Sequence, residues 1–419
     1  MSAHNNNHAW LWGILLGSVL TASSIKVYSV FFNEKYPTPR LRRDSLDADP
    51  SCPPGNVRGM EIVDGVDGLI GNTPLMRIRS LSEATGCTIL GKAEFLNPGG
   101  SAKDRVALNI IKTAEDEGIL HPDNGSTVFE GTVGSTGISI AMIARAKGYN
   151  AWIVMPDDQA KEKYQLLEKL GATVEKVRPV SIIDKKQFVN LARTRAQEFG
   201  KDESNTTGAI GYFADQFENK ANFQIHYQTT GPEIYRQTGG KIDAIVLGAG
   251  TGGTLSGIST YLKSLLPRLK VYLIDPPGSG LYHKVKHGIL YSPFEAEGTR
   301  RRHQVDTVVE GIGINRLTQN FDLGLEHIDN AYRATDEEAV KMARYLVRED
   351  GLFIGSSSAV NCVGAVRVAR ELGPGHVIVT LLNDSGQRHL TKFWSDDYLR
   401  ENGIAYELKH EDTVDTIVR

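Results

Sequence analysis

The chain has 419 residues, of which 40% are apolar and 23% charged, and its net charge is −3. This is ordinary usage for a folded body larger than one small domain, without the strongly basic balance that marks a nucleic-acid partner. Three cysteines (Cys52, Cys87 and Cys362) with no CxxC spacing argue against a disulfide framework and a metal site. Cys52 is expected in a linker, and Cys87 and Cys362 as small buried hydrophobes.

The N-terminus is distinct. Residues 9–25 read AWLWGILLGSVLTASSI, without a charge, and VYSVFF follows Lys26. About twenty apolar residues cross a bilayer as a helix. Trp10 and Trp12 suit an interface, and the basic Arg40, Arg42 and Arg43 follow the segment, which leaves the body on the cytosolic side. Residues 1–8 hold no Lys or Arg, unlike the start of a cleaved signal. The expectation is an N-terminal transmembrane anchor over 1–35. A tether over 36–59 follows, with Pro37, Pro39, Pro50, Pro53 and Pro54 and few apolar residues. The folded body is expected over 60–419, with a smaller lobe at about 100–210.

Within the body the first informative stretch is Asn97–Arg105, NPGGSAKDR. Asn-Pro-Gly-Gly is turn chemistry, and Ser101 can cap a helix with Lys103 in its first turn. A helix N-terminus repels a cation. That repulsion and partial burial lower a lysine pKa and favour Schiff-base chemistry. A solvated surface lysine is the plain alternative. Thr127–Phe129 then reads as a strand, and Ile138–Arg145 as a helix. Between them lies EGTVGSTGISI (Glu130–Ile140), whose N–H groups and hydroxyls suit a carboxylate or phosphate; a well-capped helix start would look the same.

Ala151–Met155 reads as a strand and Asp158–Leu170 as an amphipathic helix, with Tyr164, Leu167 and Leu170 on one side. Ala244–Leu247 is a strand and Thr254–Leu266 a helix. The loop joining them, LGAGTGGTL, brings four glycines and two threonines to a helix N-terminus, an anion site. Gly248, Gly250 and Gly253 also fit a dinucleotide fingerprint, with Asp275 near the position that would hold a ribose. The loop alone leaves both open. Val271–Ile274 and Val377–Leu382 are strands; Asp336–Arg348 and Ser358–Leu372 are helices. The alternation indicates an α/β fold with parallel-rich sheets flanked by helices, whose ligands bind at the carboxyl ends of strands.

From GNTPL (Gly71–Leu75) to SGQRHL (Ser385–Leu390), about three quarters of the chain, the sequence resembles the cysteine synthases and the core of the cystathionine β-synthases. These are two-lobed fold-type II pyridoxal-phosphate enzymes, tryptophan synthase β-like in architecture. NPGGSAKDR is similar to their Schiff-base motif, EGTVGSTGIS to their substrate-carboxylate loop and GAGTGGTLSG to their phosphate loop. MPDDQAKEKYQLLEKLGA and TTGPEIYRQTGGKID also resemble family segments.

The resemblance implies roles. Lys103 would carry pyridoxal phosphate. Gly250, Thr251, Gly252, Gly253 and Thr254 would hold its phosphate. Thr132, Gly134, Ser135, Thr136 and Gln216 would bind the amino-acid carboxylate. Gly311 would lie near the ring. Ser357 would face the pyridine nitrogen, with Ser358 one residue away. The family usually has asparagine at Ser135, where it touches the cofactor's ring oxygen, and serine at Val133.

The implied reaction replaces the acetyl ester of O-acetyl-L-serine with sulfide to give L-cysteine, in a homodimer without a metal. Serine/threonine dehydration, cystathionine β-synthase-like activity and a non-catalytic pyridoxal-phosphate membrane protein are the rivals. The absence of a haem-binding Cys/His pair in the tether, and a chain end about thirty residues past SGQRHL, favour cysteine synthase. The resemblance extends to membrane-anchored fungal proteins of the mitochondrial outer membrane, which implies that location for the anchor.

Overall fold

The computed structural model describes residues 62–201, 206–291 and 307–419. The expected anchor and tether lie outside the described residues. No helix among the described residues is long and apolar enough to cross a membrane.

Among the described residues ten strands run in chain order: β1 (Leu75–Arg77), β2 (Thr88–Ala93), β3 (Thr127–Gly131), β4 (Asn150–Pro156), β5 (Thr173–Val177), β6 (Gly211–Phe213), β7 (Ala244–Leu247), β8 (Lys270–Asp275), β9 (Asn330–Arg333) and β10 (Val377–Leu382). They form two sheets. One has the order β1-β2-β10-β7-β8-β9 and the other β5-β4-β3-β6. Only β1 pairs antiparallel, with β2; the remaining neighbours are parallel.

Parallel strands are covered on both faces, so they read as unbroken apolar runs. AIVL of β7 is buried throughout, and VIVTLL of β10 nearly so. Thr380, the one polar residue in that run, is fully buried and donates its hydroxyl to the Val246 carbonyl at 2.7 Å. The Ser356–Leu372 helix packs over this sheet with thirteen buried residues, among them Cys362. Cys87 is buried at the same core. The Asp336–Asp350 helix opens on a capping box between Thr335 and Glu338.

The expected helix at Asp158–Leu170 is shorter, Lys161–Lys169. Asp158 and Gln159 form a turn instead, in which the Gln159 backbone N–H donates to the Tyr164 hydroxyl at 2.9 Å. The expected helix beginning at Thr254 starts at Gly253, and the one at Ser358 starts at Ser356. Strands β1, β2, β5, β6 and β9 carried no signal strong enough to be read in advance; β1, β6 and β9 are three or four residues long.

Candidate active site

The loops leaving β2, β3, β7 and β10 converge on one cavity of about 290 Å³. Lys103, Thr132, Ser135, Thr136, Gln216, Gly250, Thr251, Gly252, Thr254, Gly311 and Ser357 all line it. Ser358, the neighbour of Ser357, is fully buried and near the Asp384 backbone instead. Gly134 and Gly253 are not wall residues, but both need to be glycine. A Cβ on Gly134 would meet Lys163 Cδ at 2.5 Å, and one on Gly253 would meet Asn222 Oδ1 at 2.3 Å.

Lys103 is the first residue of the Lys103–Asp116 helix. Its Nζ reaches Thr251 Oγ1 at 3.5 Å across the cavity. One side of the chain borders the open cavity, so the residue is half-buried. Protein crowds the amine elsewhere, and that desolvation pushes its pKa down to about 8 against a weaker opposing pull from Glu130. Near neutral pH an appreciable fraction is then the free, nucleophilic amine.

The helix beneath Lys103 is held by a buried ionic network. Arg105 donates to Glu94 at 2.8 and 2.9 Å and to Glu233 at 2.6 and 2.8 Å. Lys92 Nζ donates to Glu233 at 2.6 Å and to the Thr73 carbonyl at 2.6 Å. Burial would raise the carboxyl pKa of Glu94, yet the Arg105 charge and hydrogen bond bring it to about 2. None of these side chains was read from the sequence, where GNTPL and SAKDR are thirty residues apart.

The glycine loop is shaped by contact. Gly252 has φ +86°, and a Cβ there would lie 2.4 Å from Phe321. A Cβ on Gly250 would lie 2.4 Å from the Gly311 carbonyl oxygen. Asn222 Nδ2 donates to Thr251 Oγ1 at 2.9 Å, and Thr318 Oγ1 donates to the Thr251 carbonyl at 2.7 Å. Thr254 Oγ1 lies 3.0 Å from His226 Nε2. His226 is fully buried, and burial with the nearby Arg105 charge brings its pKa to about 3, so the ring is neutral. The loop opens the Gly253–Leu265 helix, and a helix N-terminus of this kind, with the dipole behind its N–H groups, suits an anion.

On the opposite wall the Ser135–Ala146 helix begins at the second loop. Thr136 Oγ1 donates to Gln216 Oε1 at 2.7 Å, and Gln216 Nε2 donates to Glu130 Oε1 at 3.2 Å. Burial and the Asp215 charge push Glu130 up to about 8. Ser357 Oγ accepts from Asn383 Nδ2 at 3.1 Å. Asp275, the candidate ribose ligand, is not on the cavity wall; it is fully buried and accepts from the Tyr282 backbone N–H at 2.8 Å. That placement removes the support for a dinucleotide.

Sequence reading missed the rim. Glu310 is ion-paired to Lys163, lies 3.4 Å from Lys392 and 3.3 Å from His389 Nδ1. His389 Nε2 lies 2.9 Å from Asp384 Oδ2. Thr391 donates through its N–H and its hydroxyl to Glu162, both at 2.7 Å. These charged residues come from the Lys161–Lys169 helix and from loops far away in the chain, so only the tertiary structure collects them.

Residues 66–384 match the family model described as "Pyridoxal-phosphate dependent enzyme". The chain is 61% identical over 345 residues to "Cysteine synthase 2" of Schizosaccharomyces pombe, covering 82% of this chain and 87% of that one. It is 49% identical over 414 residues to a Saccharomyces cerevisiae protein named "Putative mitochondrial cysteine synthase", covering 98% of this chain and 96% of the other. Among solved structures, an O-acetylserine dependent cystathionine beta-synthase from Helicobacter pylori is similar, with TM-score 0.67 and 29% identity over 80% of this chain and 99% of that one. The matched span contains the Lys103 amine, the glycine loop and the Glu130–Ile140 loop of the cavity, and this chain belongs to the family of pyridoxal-phosphate dependent enzymes.

Proposed function

We propose that the chain is a cysteine synthase, which forms L-cysteine from O-acetyl-L-serine and sulfide. The observation that carries the reading is the facing of Lys103 Nζ and Thr251 Oγ1 at 3.5 Å inside one cavity. The names of the fungal relatives support the substrate assignment.

The residues present fit pyridoxal phosphate. An amine with a lowered pKa, a glycine loop with no room for a Cβ at Gly250 or Gly252, and the Ser357 hydroxyl line the same space. Lys103 would carry the cofactor, Gly250–Thr254 its phosphate, and Ser357 its ring nitrogen. When bound, the cofactor supplies an electron sink that acidifies the substrate Cα proton.

The chain's own residues do the rest. The N–H groups at the start of the Ser135–Ala146 helix, with Thr132, Thr136 and Gln216, hold the substrate carboxylate and so fix which bond faces Lys103. Lys103, once free, takes the Cα proton as the acetate leaves from Cβ, and returns it to Cα after hydrosulfide has added at Cβ. Ser357 offers a hydroxyl, not a carboxylate, and so does not hold a proton on the ring nitrogen. That weakens the sink and favours loss of a good leaving group over transamination.

The test is an absorbance titration of residues 51–419 loaded with pyridoxal phosphate. O-acetylserine should shift the visible band, and sulfide should restore it with stoichiometric cysteine. A loaded protein whose band ignores O-acetylserine refutes the substrate assignment.

The anchor expected at 9–25 supports a further reading, in which the chain is tethered in the mitochondrial outer membrane with its catalytic body, 60–419, in the cytosol. The name of the Saccharomyces cerevisiae relative supports the organelle. Carbonate extraction of mitochondria holding the full chain, compared with residues 51–419, tests it: both forms appearing in the supernatant would refute the anchor. A homodimer is part of the same reading, on the resemblance. Light scattering of residues 51–419 giving a single-chain mass would refute it.

A further inference from the structure

Arg388 is a buried cation whose guanidinium is held by a single long hydrogen bond among the described residues. It is 8% exposed, and the one hydrogen bond that its guanidinium makes among the described residues runs from Nη1 to Ser135 Oγ at 3.4 Å. No carboxylate among the described residues lies at ion-pair distance from it. The two acids that act on it electrostatically, Asp384 and Asp104, are engaged elsewhere. Asp384 faces His389 at 2.9 Å. Asp104 accepts from Ser139 Oγ at 2.5 Å and from the Gly99 N–H at 2.6 Å. The guanidinium lies under the turn before Lys103, where a Cβ on Gly100 would come within 3.1 Å of Nη2.

Buried charges are normally paired, because leaving one alone in a low-dielectric interior is costly. Ser135 lines the cavity and Arg388 does not. A serine hydroxyl has one hydrogen to give and two lone pairs. With a lone pair facing Arg388, its hydrogen is free to point into the cavity, sharpened as a donor by the charge behind it.

Resting on the pyridoxal-phosphate reading above, we propose that Ser135 donates to an anionic oxygen of the bound ligand, with Arg388 as the positioning residue behind it. Two oxygens of that chemistry enter this cavity: the ring oxygen of the cofactor and the carboxylate of the amino acid. The negative charge of the ligand then adds to the pull that Asp384 and Asp104 exert on Arg388 from further away.

The experiment uses cofactor-loaded enzyme with Ser135→Ala, Arg388→Met and Arg388→Lys. Visible spectra are recorded across pH without substrate, and kcat and KM for O-acetylserine are then measured. If the ring oxygen is the partner, Ser135→Ala and Arg388→Met move intensity from the visible band to shorter wavelength before any substrate is added. If the carboxylate is the partner, the spectra stay as in wild type and KM rises about tenfold with kcat little changed, the worth of one charge-assisted hydrogen bond. Arg388→Lys should recover part of either effect by restoring the charge. Ser135→Ala carries the test if Arg388→Met does not fold. Folded variants with wild-type spectra and wild-type KM would overturn the proposal. A wild-type protein that takes up no pyridoxal phosphate would instead sink the enzyme reading on which it rests.

Discussion

Lys103 and Arg105 sit in one helical turn and meet opposite surroundings. Arg105 is clamped by Glu94 and Glu233 at 2.6–2.9 Å, whereas the Lys103 amine has, among the described residues, only Thr251 Oγ1 at 3.5 Å. The satisfied cation fixes the helix, and the unsatisfied one is left available for chemistry. Among the described residues no carboxylate lies at ion-pair distance from Lys103.

A buried, unpaired amine destabilises the cofactor-free protein at neutral pH. The folded pKa is about 8 against 10.5 for the free side chain. Between those values the unfolded chain binds more protons, so stability rises with pH across that window. Lys103→Met should therefore raise the stability of the cofactor-free protein at pH 7 by about 1–2 kcal/mol, less than the full shift implies because water enters the cavity. The gain should vanish above pH 10, and activity should be lost at every pH. Thermal melts at pH 7 and pH 10 check this; equal melting at pH 7 counts against the buried-amine account.

Glu233 closes the network under that helix, with 6% of its side chain exposed. Glu233→Ala leaves Arg105 and Lys92 short of a partner. A cost of about 3–5 kcal/mol is expected, read as a lower urea midpoint. A loss under 1 kcal/mol would show that water replaces the carboxylate.

Gly252 and Gly311 share φ +86°, but only Gly252 is crowded, by Phe321 at 2.4 Å. An alanine at Gly311 meets nothing within 4 Å and should cost about 1 kcal/mol for the left-handed backbone. Gly252→Ala should cost more than about 3 kcal/mol, because Phe321 backbone stands in the way. Melting both variants without cofactor separates conformation from contact; equal losses would contradict the crowding.

Asn222→Ala removes the 2.9 Å bond to Thr251 and the 2.8 Å bond to the Gln216 carbonyl. Cofactor affinity should fall about tenfold, measured by equilibrium titration of the cofactor-free protein. An unchanged affinity would mean that Thr318 alone positions Thr251.

His389 sets a pH dependence of opposite sign to Lys103. Burial would lower its pKa, but the charge and hydrogen bond of Asp384, with the Glu310 bond, raise it above the ordinary value of 6.5. Its contribution to stability is full below that ordinary value and is lost as pH rises through the folded one. His389→Gln should flatten the stability profile on the alkaline side of 6.5. An unaltered profile in urea melts would assign the slope to another group.

Much of the site was legible because it is local. The two loops proposed to hold a phosphate and a carboxylate are contiguous strand–loop–helix segments, and the glycine spacing of LGAGTGGTL is visible in nine residues. The supporting groups were not legible. Arg388 is 253 residues from Ser135 and Glu233 is 128 from Arg105; nothing in a charged side chain names its distant partner. Short strands such as β6 and β9 draw their stability from pairing and not from their own pattern, so three or four residues gave no period to count.

The sequence by itself determined the α/β alternation and the buried parallel strands, since each follows from local periodicity and turn chemistry, and it marked three strand-to-helix loops whose roles only the resemblance implied. It could not separate a phosphate from a dinucleotide at Gly248–Gly253 without the resemblance, or say which of Ser357 and Ser358 faces the cavity. The tertiary structure decided both. It buried Asp275 away from the cavity, and it turned Ser357 to the cavity and Ser358 to the Asp384 backbone. The reason is geometric: adjacent residues on a helix point about 100° apart, and only the packing of that helix against β10 fixes which of them lines the cavity.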